Sequence, residues 1–361
     1  MKEDLGPLAP EAILAASAVA GLLAGSWLPR RRQWLIRAMA AAACLAGLAA
    51  AGLAATQPAT TDFGTSYHID VATGTVRIVV LAALLLVLGL SAGPFAAHPR
   101  ETEFYVLLQL AALGTIVLAG AGDLLLLFAG YLLASVPGYV LAGFAKDAPG
   151  TEAAVKYYLM GALLGVLMLA GITVLDGVGG TTSYAPLHAA LAAAPHGTVT
   201  AGLIAVLAGL LFKAGAAPAH FWVPDVTEGS SAPVAAFVTT VPKIGAFAAL
   251  LRLLTTAVPT AAVDWPLLAA VLAAATMTLG NLAAFFQTSP KRLLAYSTIS
   301  QAGYLLMGIA AAARSASPPG RCCSTSPPTP SPTSARSPSS PHCPRPPPWT
   351  ATAAWPAATP A

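Results

Sequence analysis

Apolar runs of roughly 20 residues recur along most of this chain, and they limit its possible folds more than any other feature. A helix needs about 20 apolar residues to cross the hydrocarbon core of a membrane. Helices also satisfy all their backbone polar groups within lipid, and these runs are too long for barrel strands. The sequence therefore predicts an all-α membrane protein with about ten transmembrane helices. We number them spans 1 to 10: Ala12–Leu28, Trp34–Ala55, Ile78–Phe95, Phe104–Gly120, Leu124–Phe144, Ala153–Leu175, Val199–Ala217, Pro233–Leu254, Pro266–Phe286 and Leu293–Ala313.

Composition agrees with a chain that is solvated by lipid. Hydrophobic residues make up 57% of the chain and charged residues only 9%, against roughly 25% charged residues in soluble domains. So few charges cannot cover a soluble surface of this size. The first run has no convincing cleavage site before a soluble domain, and further spans follow at once, so we expect a retained helix rather than a signal peptide.

Several classes of site are excluded by what the sequence lacks. Residues 1–313 carry no net charge, because the excess positive charge comes from four arginines in the tail; no basic footprint for nucleic acid is present. The four cysteines form no Cys-x-x-Cys pair, so neither an iron–sulfur nor a zinc site is indicated. No glycine-rich dinucleotide motif follows a strand-like run. Any redox cofactor is therefore expected on other chains.

Lysine and arginine residues lie mainly in the odd-numbered connections between spans. The first connection holds Arg30, Arg31 and Arg32, and the ninth holds Lys291 and Arg292. The even-numbered connections are nearly free of them, and Arg77 and Arg252 are interpreted as residues at helix ends. Cytoplasmic loops carry the excess of such residues. We therefore expect a multi-pass membrane protein whose odd-numbered connections face the cytoplasm and whose N-terminus lies outside.

Two lysines within the apolar runs are the strongest candidates for chemistry. Lys213 precedes Pro218, and Lys243 directly follows Pro242. Ionisable residues inside spans usually serve transport of protons or ions, and proline removes a backbone donor and interrupts the helical ladder. A lysine beside a helix break suits proton transfer. Lys213 lies close enough to the end of its span that its amine could instead extend to the membrane surface.

Other polar residues near the membrane surface have a simple alternative reading. Glu152 and Lys156, four residues apart, form either a surface ion pair or part of a proton relay. His220, Asp225 and Glu228 lie in a segment interpreted as an interfacial loop, where they either solvate a turn or, in the case of His220, admit protons.

Polar residues around span 5 have structural readings. Asp123 is expected to cap the start of span 5. Tyr131, Ser135 and Pro137 are interpreted as packing and kink residues of that span.

Five segments together resemble a known family. They are GDLLLLFAGYLLASVPGYVLAGF (122–144), TEAAVKYYLMGA (151–162), FKAGAAPAHFWVPDVTEGSSAPVAAF (212–237), PKIGAFAALLRLL (242–254) and NLAAFFQTSPKRLLAYSTISQAGYLLMGIA (281–310). In order, spacing and content they resemble the antiporter-like membrane subunits of proton-pumping NADH–quinone oxidoreductase (respiratory complex I), with subunit N the nearest match. The resemblance covers residues 100–313 well and 1–99 weakly.

The resemblance implies a fold built from inverted repeats and a role for named residues. Helices 1–3 (1–99) would precede a first repeat of helices 4–8 (100–257), and residues 258–313 would begin a second repeat. Span 7 would be broken near Pro218, as in such transporters. Lys213 and Lys243 resemble the family's lysines in the proton path, and His220 matches its histidine before Phe-Trp. Lys156, Glu152 and Asp225 are secondary candidates.

The resemblance also implies partners and cofactors. As a multi-pass protein of the bacterial inner membrane, the chain would couple quinone reduction to proton translocation among other complex I membrane subunits within the bilayer. NADH, flavin, iron–sulfur clusters and quinone would belong to partner subunits.

The sequence departs from the family in two places. Leu132 occupies the position of the glutamate that usually pairs with the lysine of span 7. Residues 314–361 are rich in proline and serine and are predicted to be disordered. Read one base out of frame, codons for 321–344 can encode an apolar helix resembling the family's next one, so we expect this tail to be a frameshift product, with the second repeat incomplete.

Two alternatives remain open at the level of sequence. A subunit of a cation/proton antiporter assembly would share the same helical core. A fragment without activity, or a purely structural membrane subunit, would fit the absence of the glutamate and of the second repeat.

Overall fold

A computed structural model describes residues 6–96 and 98–315, without the side chains of 313–315. Within these residues twelve α-helices and one short hairpin follow each other. The helices are α1 (Ala9–Trp27), α2 (Trp34–Ala54), α3 (Val71–Leu90), α4 (Glu101–Gly120), α5 (Leu124–Ala142), α6 (Ala148–Gly179), α7 (Tyr184–Ala192), α8 (His196–Ala214), α9 (Trp222–Gly229), α10 (Ala232–Thr256), α11 (Trp265–Ala284) and α12 (Pro290–Ser315). Strands β1 (Thr60–Asp62) and β2 (Tyr67–Ile69) pair antiparallel. Residues 314 and 315, which the sequence assigns to the tail, are the last residues of α12, and the rest of the predicted tail (316–361) lies outside the described residues.

The predicted number of membrane helices is confirmed. Ten helices in the described part of the chain are long and apolar enough to cross a membrane. Spans 1 to 6 correspond to α1–α6, and spans 7 to 10 to α8, α10, α11 and α12. The short helices α7 and α9 and the hairpin were not predicted, because each is too short to give an apolar run.

Aspartate side chains fix where several helices begin. Asp123 accepts hydrogen bonds from the amides of Leu125 and Leu126 at 2.7 and 3.3 Å, which confirms it as the cap of α5. Asp70 and Asp147 cap α3 and α6 in the same way. Such caps satisfy backbone amides that have no partner within the helix.

The start of α3 differs most from the prediction. Arg77 does not mark a helix end; it lies inside α3 with its side chain fully buried. The prediction failed because a lone arginine was read as an interfacial residue. In the structure Glu11 neutralises Arg77, which allows it to lie inside the helix, and α3 begins at Val71 after its cap Asp70.

Helices α4 and α10 form the centre of the bundle. The buried share of their apolar segments is 72% and 67%, against 22% for α11. Close approach depends on small residues, as expected where apolar attraction between helices is weak in lipid. A Cβ atom at Gly114 of α4 would clash with the backbone of Ala134 in α5.

The connections collect at two opposite ends of the helices. At one end Asp70 bonds Arg252, and Thr182 donates to Asp123. At the other end Arg100 donates to the Phe144 carbonyl at 2.6 Å. This grouping is compatible with the predicted alternation of even- and odd-numbered connections. Which end lies outside the cell stays a prediction.

Candidate proton-transfer site

An interruption of the helical chain lies between α8 and α9. Helix α8 ends at Ala214, and Gly215 follows in the left-handed region at φ +67°. The amide of Gly215 donates to the Phe212 carbonyl and the amide of Ala216 donates to the Leu211 carbonyl, each at 3.0 Å. These two hydrogen bonds close the last turn of α8. The interruption falls where the sequence places a break. That α8 and α9 form one interrupted span stays a prediction.

Contacts with other helices stabilise this interruption. The amide of Ala217 donates to Thr276 Oγ1 of α11 at 3.1 Å, and Trp222 Nε1 of α9 donates to the Phe212 carbonyl at 3.0 Å. The indole ring of Trp222 stacks on Tyr157 of α6 with ring centroids 4.3 Å apart. Polar backbone groups freed by the break are thus bonded to neighbouring helices, as burial requires.

Lys213 lies in the last turn of α8, and its side chain has no exposed surface. Its amine donates to Ser135 Oγ of α5 at 2.9 Å. The amine also lies 5.9 Å from the ring centroid of Tyr131, whose hydroxyl donates to the Gly161 carbonyl of α6 at 3.0 Å. The amine therefore points into the bundle and does not extend to the membrane surface.

Lys243 lies on α10 and is only 6% exposed. Its amine donates to Thr298 of α12, at 3.1 Å to Oγ1 and 3.3 Å to the carbonyl oxygen. A Cβ atom built at Gly215 would lie 3.3 Å from this amine. Lys243 thus packs against the interruption that follows Lys213, and it connects this region to the last described helix.

The expected helix break at Pro242 is absent. Helix α10 continues through Pro242 from Ala232 to Thr256. A proline within a helix removes one ladder bond, and the close packing of α10 at the centre of the bundle maintains the helix on both sides. The only interruption beside these lysines in the described chain is therefore the one after α8.

Neither lysine forms an ion pair with a carboxylate among the described residues. Leu132, at the position of the family's glutamate, has 42% of its surface exposed. Tyr131 and Ser135 lie four residues apart on one face of α5, whereas Leu132 is turned by about 100° from Tyr131. Sequence reasoning treated Ser135 as a packing residue and thus missed the partner of Lys213.

His220 lies in the interruption, between Pro218 and α9. It is half-buried, and its ring packs on Phe221 with centroids 4.5 Å apart. Burial lowers the pKa of His220 below its ordinary value. The imidazole is therefore neutral at pH 7 and can accept a proton.

The secondary candidates form a polar cluster around α9, which the sequence reading had treated as a loop. Asp225 accepts from Lys156 of α6 and from Arg292 of α12, each at 3.0 Å. Lys156 also pairs with Glu152 at 2.7 Å, and both are largely exposed. We call the residues that join α9 to α6 and α12 the α9 clamp: Lys156, Asp225, Glu228, Ser289, Lys291 and Arg292.

Two buried arginine clusters at the opposite end were not found from the sequence. Arg77 donates to both oxygens of Glu11 at 2.7 and 2.9 Å, and Tyr67 donates to the same carboxylate at 2.7 Å. Arg252 donates to both oxygens of Asp70 at 2.8 and 2.9 Å. The available signal was charge at the edge of an apolar run (Glu11 and Arg77) or inside one (Arg252), but the partners of the two arginines lie far away in sequence.

Hydrogen bonds determine the protonation of this end. Burial raises the pKa of the Asp70 carboxyl, but hydrogen bonds from Arg252 and Thr73 outweigh this effect and lower the pKa to about 2. Burial, followed by the charge of Glu11, raises the pKa of Tyr67 well above its ordinary value. At neutral pH the aspartate is charged and the phenol keeps its proton.

Comparison with known proteins places these features in a family. Residues 121–317 match the family described as NADH:quinone oxidoreductase/Mrp antiporter, TM. NADH-quinone oxidoreductase subunit N 1 of Streptomyces griseus subsp. griseus is 59% identical over 87% of this chain and 66% of its own length. Subunit N of Mycobacterium sp. (strain JLS) is 49% identical over 87% of this chain and 67% of its own.

A solved structure agrees with these relatives. A chain of respiratory complex I from Thermus thermophilus, solved with bound aureothin, matches with a TM-score of 0.72 and 35% identity, covering 83% of this chain and 64% of that one. The chain thus spans about two thirds of the length of the relatives it matches.

Proposed function

We propose, from the premise that this chain belongs to the membrane-subunit family shared by NADH:quinone oxidoreductase and Mrp antiporters, that it acts in the membrane arm of a proton-pumping NADH–quinone oxidoreductase, as a subunit of the N type. The observation that carries the proposal is the pair of buried lysines at the interruption after α8. Ionisable groups within membrane helices are costly and mark paths for ions and protons. Unlike Arg77 and Arg252, neither lysine is paired with a carboxylate among the described residues.

The proposed role of the lysines is to pass protons through the bundle. Lys213 exchanges its proton within the proposed first repeat, where its amine donates a hydrogen bond to Ser135. Lys243 receives a proton beside the interruption and faces Thr298 of α12, on the way to the second repeat. His220, half-buried next to the interruption, admits protons to it.

The chemistry of electron transfer belongs in this proposal to other subunits. NADH, flavin, iron–sulfur clusters and quinone react on the partners, and this chain responds to that reaction by moving protons. Other membrane subunits of the complex and lipid are its proposed neighbours. The repeat boundaries 100–257 and 258–313 are part of the same proposal.

A cation/proton antiporter subunit is the second candidate, favoured by the family that the two assemblies share. The names of the 59% and 49% identical relatives favour the oxidoreductase. Purification of the tagged full chain from its native membrane separates the two. We expect NADH–quinone oxidoreductase activity to copurify with it; copurification with antiporter subunits and without this activity would refute the proposal.

The third candidate, an inactive fragment or structural subunit, predicts copurification without proton transfer. Measuring proton pumping in variants of Lys213 separates it from the proposal, which expects pumping to fall.

A further inference from the structure

The carboxylate of Asp225 joins helix α9 to two other helices. Asp225 Oδ2 accepts from Lys156 Nζ of α6 at 3.0 Å, and Asp225 Oδ1 accepts from Arg292 Nη1 of α12 at 3.0 Å. Each carboxylate oxygen thus bonds a cation from a different helix. Charge-assisted bonds of this kind favour one orientation of the carboxylate, so Asp225 determines where α9 lies relative to both helices.

The C-terminal end of α9 is attached to α12 as well. Lys291 Nζ donates to the carbonyls of Glu228 and Ser230 at 3.3 and 3.2 Å, and Ser289 donates to the Glu228 carboxylate at 2.6 Å. A lysine at free carbonyls complements the negative end of a helix. The α9 clamp therefore fixes both the side and the end of this short helix.

Displacement of α9 would reach Lys213 through the backbone. Trp222, three residues before Asp225, donates through Nε1 to the carbonyl of Phe212 at 3.0 Å. Phe212 directly precedes Lys213, and both side chains are fully buried. The Trp222 ring also stacks on Tyr157, the neighbour of Lys156. Trp222 thus joins the α9 clamp to Phe212, the residue directly before Lys213.

We propose that Asp225 is a positioning residue for Lys213. Asp225 holds α9 between α6 and α12, and the position of α9 keeps the Lys213 amine aligned with Ser135. This inference rests on the proposed proton-transfer function of Lys213. It gives Asp225 no part in carrying protons itself. The side chains that form it are partly exposed, with 28% for Asp225 and 35% for Arg292, so each ion pair alone contributes little and their joint geometry matters.

The first test measures the position of α9 independently of any activity. Hydrogen exchange of the backbone amides of 222–229, apart from Pro224 which has no N–H, is compared in the intact complex carrying the parent chain, Asp225→Asn or Glu103→Gln. Glu103 is an exposed acid at the start of α4, so its variant controls for loss of a surface charge. We expect faster exchange only in Asp225→Asn. Equal exchange in all three would overturn the positioning role.

The second test measures protons translocated per NADH oxidised. Asp225→Asn is expected to lower this ratio about three- to tenfold, the size of effect seen when coupling between distant sites is disturbed, and Asp225→Glu to restore most of it. A positioning role also predicts that Lys156→Met adds little to Asp225→Asn, because both remove the same contact. Full additivity, or no rescue by glutamate, would contradict the inference.

The two tests separate this inference from the proposed function. If Lys213→Ala leaves pumping unchanged, the proposed function fails, whatever the exchange of α9 shows. If Lys213→Ala abolishes pumping while Asp225→Asn changes neither exchange nor pumping, the function stands and the positioning role of Asp225 is wrong.

Discussion

At the scale of single residues, the hydrogen bond between Lys213 and Ser135 is the most specific feature of the site. The amine is fully buried and donates to the Ser135 hydroxyl at 2.9 Å, while no carboxylate pairs with it among the described residues. A buried amine, protonated or neutral, depends on each polar contact that it has. Ser135 thus provides the contact that the family's glutamate position, occupied by the exposed Leu132, does not.

Ser135→Ala should therefore disturb the site more than its small size suggests. Leaving a buried donor without its partner costs about 1–3 kcal/mol, so we expect a fall of at least about fivefold in the rate of proton translocation with assembly intact. Proton uptake by vesicles during NADH oxidation measures it. Ser135→Thr retains the hydroxyl and is the control; equal rates in parent and alanine variant would show that the contact is unimportant.

The buried pair of Glu11 and Arg77 gives a prediction for stability. Removing one partner of a buried ion pair costs about 3–5 kcal/mol because the other charge stays buried. Arg77 is fully buried and bonds both oxygens of Glu11. Glu11→Gln should lower the thermal unfolding midpoint of the purified complex, and Glu103→Gln should not. A shift of the same size in both variants would argue against the pair.

At the scale of helices and strands, Asp70 and Arg252 join α3 to the end of α10. The folded-state pKa of Asp70, about 2, lies below the value of about 3.9 for a free aspartate. Its stabilising contribution is thus complete above pH 4 to 5 and is lost as pH falls toward about 2. Unfolding of parent and Asp70→Asn between pH 6 and 2 should show a stability difference that disappears in this window; a difference that stays constant would disprove the shift.

Hydropathy predicted all ten long helices of the part of the chain that the structure describes, because a membrane span must be apolar over most of its length. It could not predict α7, α9 or the hairpin, whose positions depend on contacts with other elements. The start of α3 was placed too late for a similar reason: Glu11, which neutralises Arg77, lies far away in sequence. Lys213 and Lys243 were recognisable as charges within apolar runs, whereas Ser135 depends on how α5 is rotated against α8.

At the scale of the whole molecule, the connections separate into two groups at opposite ends of the bundle. The Lys/Arg asymmetry predicts that residues 29–33 and 287–292 face the cytoplasm and that the N-terminus and residues 56–77 face the outside. The structure places 71–77 of that last stretch in α3. Single cysteines introduced by Arg31→Cys and Thr65→Cys into a chain without other cysteines should react with an impermeant reagent from opposite sides. Reaction of both from the same side would refute the topology.

The central claim is that Lys213 carries protons through this chain, and the ratio of protons translocated to NADH oxidised tests it most directly. It is measured in vesicles containing the complex with the parent chain, Lys213→Ala or Lys146→Ala, since Lys146 is an exposed lysine in the connection after α5. We expect Lys213→Ala to lower the ratio with the complex still assembled, and Lys146→Ala to leave it at the parent value. An unchanged ratio in Lys213→Ala would contradict the claim.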